Sequence, residues 1–231
     1  MLAAPPLIAN GGVVSVADAG TAIAPGSLIS IYGTGLATGT APAPTIPLPN
    51  NLAGVSVTVD GLPAPLFYAS PTQINAQVPF EIAPGLASVS VNVGAAVSQL
   101  VFTASAIAPG VWTLSDGSHT LAVNDTTGAV GASIPPGTWA TIYATGQGAL
   151  PDRLGTGDPA PISPLIVPNT PVAVSVGGVP ATNVVWAMAP TLIGVMQINF
   201  LMPAVPPGDQ PLVVHVGGIA SATTSIVVAS R

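Results

Sequence analysis

Apolar and small polar residues alternate in short runs along most of the chain, and Gly or Pro closes nearly every run. LISIYGTGL (28–36) and WATIYATGQ (139–147) have this period of two, as does SVTVDGLPAPLFYA (56–69) on either side of its centre. A two-residue period sends successive side chains to opposite faces of a half-buried strand. Asp60-Gly61 sits between two apolar runs, and Gly177-Gly178 occupies the matching place further on. Both pairs tolerate the positive φ values of a two-residue hairpin loop. No window keeps a helical period between caps, and 27 prolines leave little room for one. The pattern predicts an all-β chain.

The strands come in two sets. Ile31-Tyr32-Gly33-Thr34-Gly35 returns 111 residues later as Ile142-Tyr143-Ala144-Thr145-Gly146, and VTVDGLPA from Val57 returns 117 residues later as VSVGGVPA from Val174. Gln73-Ile74-Asn75 recurs as Gln197-Ile198-Asn199, and VNVGAAVS from Val91 as VHVGGIAS from Val214. Order is kept throughout and the drift in spacing is a loop insertion, so one unit is built twice. The fold expected is two tandem immunoglobulin-like β-sandwiches with a small connecting hairpin. Residues 1–105 form the first sandwich with an amino-terminal lead-in strand. Residues 106–231 form the connecting hairpin, turning at Asp116-Gly117, and the second sandwich. The Pro-rich stretches 40–51 and 158–171 fall at equivalent points and read as crossover loops within the sandwiches. The joining segment is strand-like, which predicts a stiff contact between the two units. The lead-in segment, residues 7–17, can pair within its own sandwich or complete a neighbour's sheet.

APGSLISIYGTGL, GVSVTVDGLPAPLFYASPTQINAQVPFEIAPG and TIYATGQG resemble an uncharacterised domain at the carboxy-terminal end of large secreted proteins of Acidobacteria. Each half is similar to the IPT/TIG immunoglobulin-like fold. The resemblance covers nearly the whole chain and its most specific string is YASPTQINAQVPFEIAPG. It implies an exported, extracellular or cell-surface setting and a repeated sandwich, and it brings no catalytic residues. Trp139 and the apolar TLIGVM before the second QIN depart from the family pattern.

Composition narrows the function. Charged residues are 4% of the chain against 49% hydrophobic, Lys is absent, and the only cations are Arg153 and Arg231. Without a basic patch there is nothing to neutralise phosphates, which excludes nucleic acid as a main partner. Eight scattered carboxylates give a net charge of -6 and serve solubility. The absence of Cys rules out disulfides and thiolate metal sites. The opening MLAAPPLIANGG lacks a basic and apolar leader, so a secretion signal is expected to be missing from this sequence. Mean hydropathy is +0.70, yet the charge-free stretch 184–205 is broken by Pro190, Gln197, Asn199 and Pro203. No membrane span is expected.

Candidate chemistry is sparse. Nucleophilic catalysis would need one of two histidines, His119 after the Asp116-Gly117 turn or His215 on the outer face of a strand, and no G-x-S-x-G elbow is present. Glu81 is the only Glu and has no carboxylate mate in the repeat, so paired-carboxylate hydrolysis lacks its residues. Asp116, Asp125, Asp152 and Asp158 lack the alternating spacing of a calcium loop and read as turn formers. Asn124-Asp125-Thr126 fits a glycosylation acceptor in form only. Tyr32, Tyr143, Tyr68 and Trp186 fall in apolar strands and are expected in the cores, whereas Trp112 and Trp139 have no repeat mates. Those two are the candidate ligand-binding residues.

No catalytic residue, metal site or cofactor is expected. The reading is a non-catalytic extracellular or cell-surface structural or adhesive module that spaces, anchors or self-assembles, its partner being itself or a surface polysaccharide. The alternative is a carbohydrate-binding module or an accessory domain of a secreted enzyme.

Overall fold

The computed structural model describes residues 5–150 and 154–230; Asp152, Arg153 and Arg231 lie outside them. Every regular element among the described residues is a strand. The first half contributes β1 (Leu7–Ser15), β2 (Leu28–Thr34), β3 (Ala41–Pro42), β4 (Val55–Val59), β5 (Leu62–Pro63), β6 (Leu66–Ala69), β7 (Gln73–Gln77), β8 (Gly85–Val93) and β9 (Ala96–Ala104). The second contributes β10 (Gly110–Val111), β11 (Ala122–Asn124), β12 (Ala129–Val130), β13 (Trp139–Thr145), β14 (Val172–Val176), β15 (Val179–Pro180), β16 (Thr182–Met188), β17 (Met196–Leu201), β18 (Gly208–Val216), β19 (Ile219–Ala220) and β20 (Thr224–Val228). The apolar stretch 184–205 is therefore β16 and β17, and no described helix is long and apolar enough to cross a membrane.

In the first sandwich a sheet ordered β1-β2-β7-β6-β3 faces one ordered β5-β4-β8-β9. In the second, β12-β11-β13-β17-β16, with β10 also on β13, faces β15-β14-β18-β19, with β20 also on β18. Alternation supplies each core. Ile29, Ile31 and Ile74 from one sheet meet Val57, Val89 and Val91 from the other. Ile142, Ile198 and Phe200 meet Val174, Leu212 and Val214 in the same way. Each such side chain, fully withdrawn from water, favours the folded state by about 1.5–3 kcal/mol.

Pairing registers repeat with the sequence. Ile31 lies opposite Ile74 and Ser30 opposite Asn75, while Ile142 lies opposite Ile198 and Thr141 opposite Asn199. Val57 meets Val91, and Val174 meets Val214. Both predicted hairpin loops carry two consecutive positive φ values, 49° and 78° at Asp60-Gly61 and 58° and 77° at Gly177-Gly178.

The lead-in strand β1 pairs with β2 of its own chain, with a register shift between Ile8 and Val13. In the second half β10 and β11 occupy the corresponding edge of β13, and the connecting hairpin bulges out between them. Its turn is closed by Leu114 N–H donating to the His119 carbonyl at 2.7 Å. The hairpin also binds β20: Thr120 N–H donates to the Ser225 carbonyl at 2.7 Å, and the Thr120 and Thr224 hydroxyls are 2.6 Å apart.

A buried seam joins the sandwiches. Leu28 N–H donates to Thr145 Oγ1 (3.1 Å), which itself donates to the Gly194 carbonyl (3.0 Å). Gly157 N–H donates to Gln77 Oε1 (2.7 Å), and Phe80 N–H to Thr156 Oγ1 (3.0 Å). Phe80, a first-half residue, is buried in the second core. Leu28, Ala189 and Val195 form a third apolar cluster between the two.

Candidate functional site

With Ile29, Ile31 and Ile142 turned inward, the residues between them must face out. Tyr32 is accordingly 43% exposed, which corrects its expected place in the core. Tyr68 and Tyr143 are half-buried, Tyr143 against the seam cluster, and Trp186 half-buried against the second core with Nε1–H donating to the Pro168 carbonyl at 3.3 Å. The outward set of β13 is Trp139, Thr141 and Tyr143, opposite Leu201, Asn199 and Gln197 of β17.

These polar side chains are locked to one another. Thr141 Oγ1 donates to Asp125 Oδ1 (2.8 Å), Gln197 Nε2 donates to Asn199 Oδ1 (3.0 Å), and Asn199 Nδ2 contacts Thr141 Oγ1 and Asp125 Oδ2. Asp125 is placed by the turn after β11, where its N–H donates to the Trp139 carbonyl at 3.1 Å. The first half repeats the arrangement in a shorter form. There Gln73 Nε2 (2.8 Å) and Ser30 Oγ (3.0 Å) both donate to Asn75 Oδ1. The Gln-Ile-Asn string thus supplies an outward amide ladder with its Ile in the core, and its recurrence was the sequence signal for it. Beside the second ladder a groove of about 190 Å³ is lined by Leu165, Val185, Ala187 and Pro190 together with Gln197 and Asn199.

The two tryptophans chosen from sequence are not brought together. Trp139 is 39% exposed at one end of this face. Trp112 sits at the other, its N–H donating to the Tyr143 carbonyl at 3.0 Å, and lines a seam cleft of about 290 Å³ with Phe67, Asn75 and Leu192. Four residues of strand, about 13 Å, separate Trp139 from Tyr143.

The remaining chemistry is small. His119 Nδ1 lies 2.7 Å from Asp116 Oδ2 and its Nε2 lies 3.4 Å from Asp209 Oδ1, which ties the connecting hairpin to β18. The hydrogen bond to Asp116 first, then that to Asp209, raises the imidazole above its ordinary 6.5. Asp116 is held well below the usual carboxylate range, chiefly by the backbone N–H groups of His119 and Ser118. No group of three or more His, Cys, Asp or Glu residues able to hold a metal occurs among the described residues. His215 is half-buried on β18, opposite Ala173. Asn124 is 5% exposed, with its Oδ1 accepting from Thr126 N–H, so its amide is not presented for glycosylation. Gln147 takes the place that the core residue Leu36 holds in the first half; it is fully buried and its amide atoms have no hydrogen-bond partner.

The facing cores describe an immunoglobulin-like all-β fold. Residues 14–106 match the IPT/TIG domain. The IPT/TIG match runs from β1 to just past β9 and so carries the first ladder. No curated protein matches the chain. Among solved structures, the SGBP-B of the Bacteroides ovatus mixed-linkage glucan utilization locus, in complex with a mixed-linkage heptasaccharide, is similar over 99% of this chain and 46% of its own, with 10% identity and a TM-score of 0.41. A surface glycan-binding protein from Prevotella bryantii is similar over 97% of this chain and 42% of its own, with 15% identity and a TM-score of 0.31. Domains 4 and 5 of the S-layer protein SbsC are similar over 77% of each chain, with 16% identity and a TM-score of 0.22. The chain spans less than half the length of the two glycan-related structures. At these identities and scores the likeness carries nothing about ligand or partner.

Proposed function

We propose that the chain is a non-catalytic extracellular or cell-surface module, two IPT/TIG-like repeats divided near residue 105, that acts as a stiff spacer or anchor. The observation that carries this reading is the seam. A flexible tether would leave each unit with its own closed core, whereas here Phe80 of the first half is buried in the second core. Two hydrogen bonds support a division there: Ser105 N–H bonds the first half through the Ile23 carbonyl, and Ala108 N–H bonds the second through the Gly146 carbonyl. A paucity of charge suits a structural part with no substrate to process. Small-angle scattering of the chain tests this. The expected profile is that of one body with a fixed angle between the sandwiches; a profile that only an ensemble of angles can fit overturns the spacer reading.

A further inference from the structure

The outer face of the β13–β17–β16 sheet carries a second role. We propose that it is a binding face for a neutral polysaccharide, with Trp139 as the stacking platform and Asp125, Asn199 and Gln197, braced by the buried Thr141 hydroxyl, as the hydroxyl-reading row. This goes beyond the spacer reading and stands on different residues.

Five features of the face favour this ligand over others. Trp139 is open to solvent at one end of the face, and the flat faces of pyranose rings stack on an indole while their hydroxyls need polar partners beside it. The ladder supplies both donors and acceptors, fixed before any ligand arrives by hydrogen bonds to Asp125 from neighbouring strands and by the Gln197–Asn199 bond along β17, so little side-chain ordering is left to oppose binding. Next to it Val185 is 54% exposed and Leu165 53%, so apolar wall and polar row run side by side, matching the alternating surfaces of a sugar chain. Charge favours a neutral ligand: the row holds one carboxylate, Asp125. A polyanion would meet repulsion there. Three successive rows of the sheet, from Trp139 to Tyr143, span about 13 Å, long enough for an extended oligosaccharide and not merely one ring. The first sandwich repeats the amides at Gln73 and Asn75 with Tyr32 beside them, but its half of the motif has no tryptophan and no carboxylate, so the second sandwich is the principal site.

Affinity electrophoresis through gels containing hydroxyethylcellulose, a neutral α-glucan or polygalacturonate, followed by calorimetry on the polymer that retards most, tests the proposal. Wild type is expected to be retarded by a neutral polymer and not by polygalacturonate. Trp139→Ala and Val185→Glu are expected to weaken binding by about tenfold or more. Val101→Glu, exposed on the opposite face of the first sandwich, is expected to bind as wild type. Val185 and Val101 are both surface positions, so melting curves superimposed on wild type keep the comparison free of folding effects. The proposal is overturned if no neutral polymer retards the chain, if polygalacturonate retards it as strongly, or if Trp139→Ala and Val185→Glu bind as wild type. None of these outcomes alters the scattering profile on which the spacer reading rests.

Discussion

Truncating Phe80 probes the link between the sandwiches at a single side chain. Its ring lies over Gly26, where a Cβ would collide with it, and its other side is buried among second-core residues, leaving 8% of the residue exposed. Phe→Ala in a core costs about 3–5 kcal/mol through lost transfer energy and the cavity left behind. A site on the rim of a core, able to collapse in part, belongs near the lower end, so we expect about 3 kcal/mol. With a urea m-value of about 2–3 kcal/mol/M, this lowers the unfolding midpoint by about 1 M. All three tryptophans lie in the second half, so their fluorescence reports that sandwich while far-UV dichroism reports both. Wild type is expected to unfold with the two signals coincident. Phe80→Ala should separate them, because it removes contact that couples one half to the other. Unchanged midpoints with the signals still coincident would refute the idea that Phe80 couples the two cores.

Gly146 has φ +80°, and a Cβ there would collide with the Ala108 carbonyl. Gly146→Ala should therefore destabilise by about 2 kcal/mol or more in the same urea assay, well beyond the left-handed penalty of about 1 kcal/mol, whereas Gly61→Ala, with open space around it, should pay the backbone penalty alone. Gln147→Leu restores the residue found at the matching position of the first half and removes a buried amide without partners; a gain of about 1 kcal/mol is expected, and a loss would show that the amide is satisfied. Because His119 has a raised pKa, the stability from its bonds to Asp116 and Asp209 is fully present below pH 6.5 and fades as pH rises through the raised value; that of Asp116 is present above 3.8 and is lost as pH falls through its lowered value. By NMR, the His119 imidazole should titrate above 6.5, and Asp116→Asn should bring the midpoint down further than Asp209→Asn; a midpoint at or below 6.5 in wild type would contradict the clamp.

Local features of the fold were readable because they depend on neighbours in sequence. Period-two runs located β2, β4, β13 and β14, and the Asp60-Gly61 and Gly177-Gly178 pairs marked their turns. Matching strings in matching order anticipated matching registers. Tyr32 has apolar neighbours in sequence, but Ile29 and Ile31 point inward and the strand's alternation puts Tyr32 on the opposite, exposed face. The seam was out of reach. Its residues, Phe80, Thr156 and Gly157, lie in irregular segments without any period, and their partners are 76 to 80 residues away. His119 likewise meets Asp209 across 90 residues, a pairing set by how the hairpin folds back on β18. The ladder stands between these cases: the recurrence of Gln-Ile-Asn was visible, but its contacts with Asp125 and Thr141 required the sheet.

The seam predicts that the two sandwiches move as one body. Residual dipolar couplings of backbone N–H groups, collected over both halves in one alignment medium, measure this directly. One alignment tensor, equal in magnitude and orientation for residues 5–105 and 106–230, is the predicted result. Two tensors of different magnitude would mean that the halves reorient independently and would contradict the account.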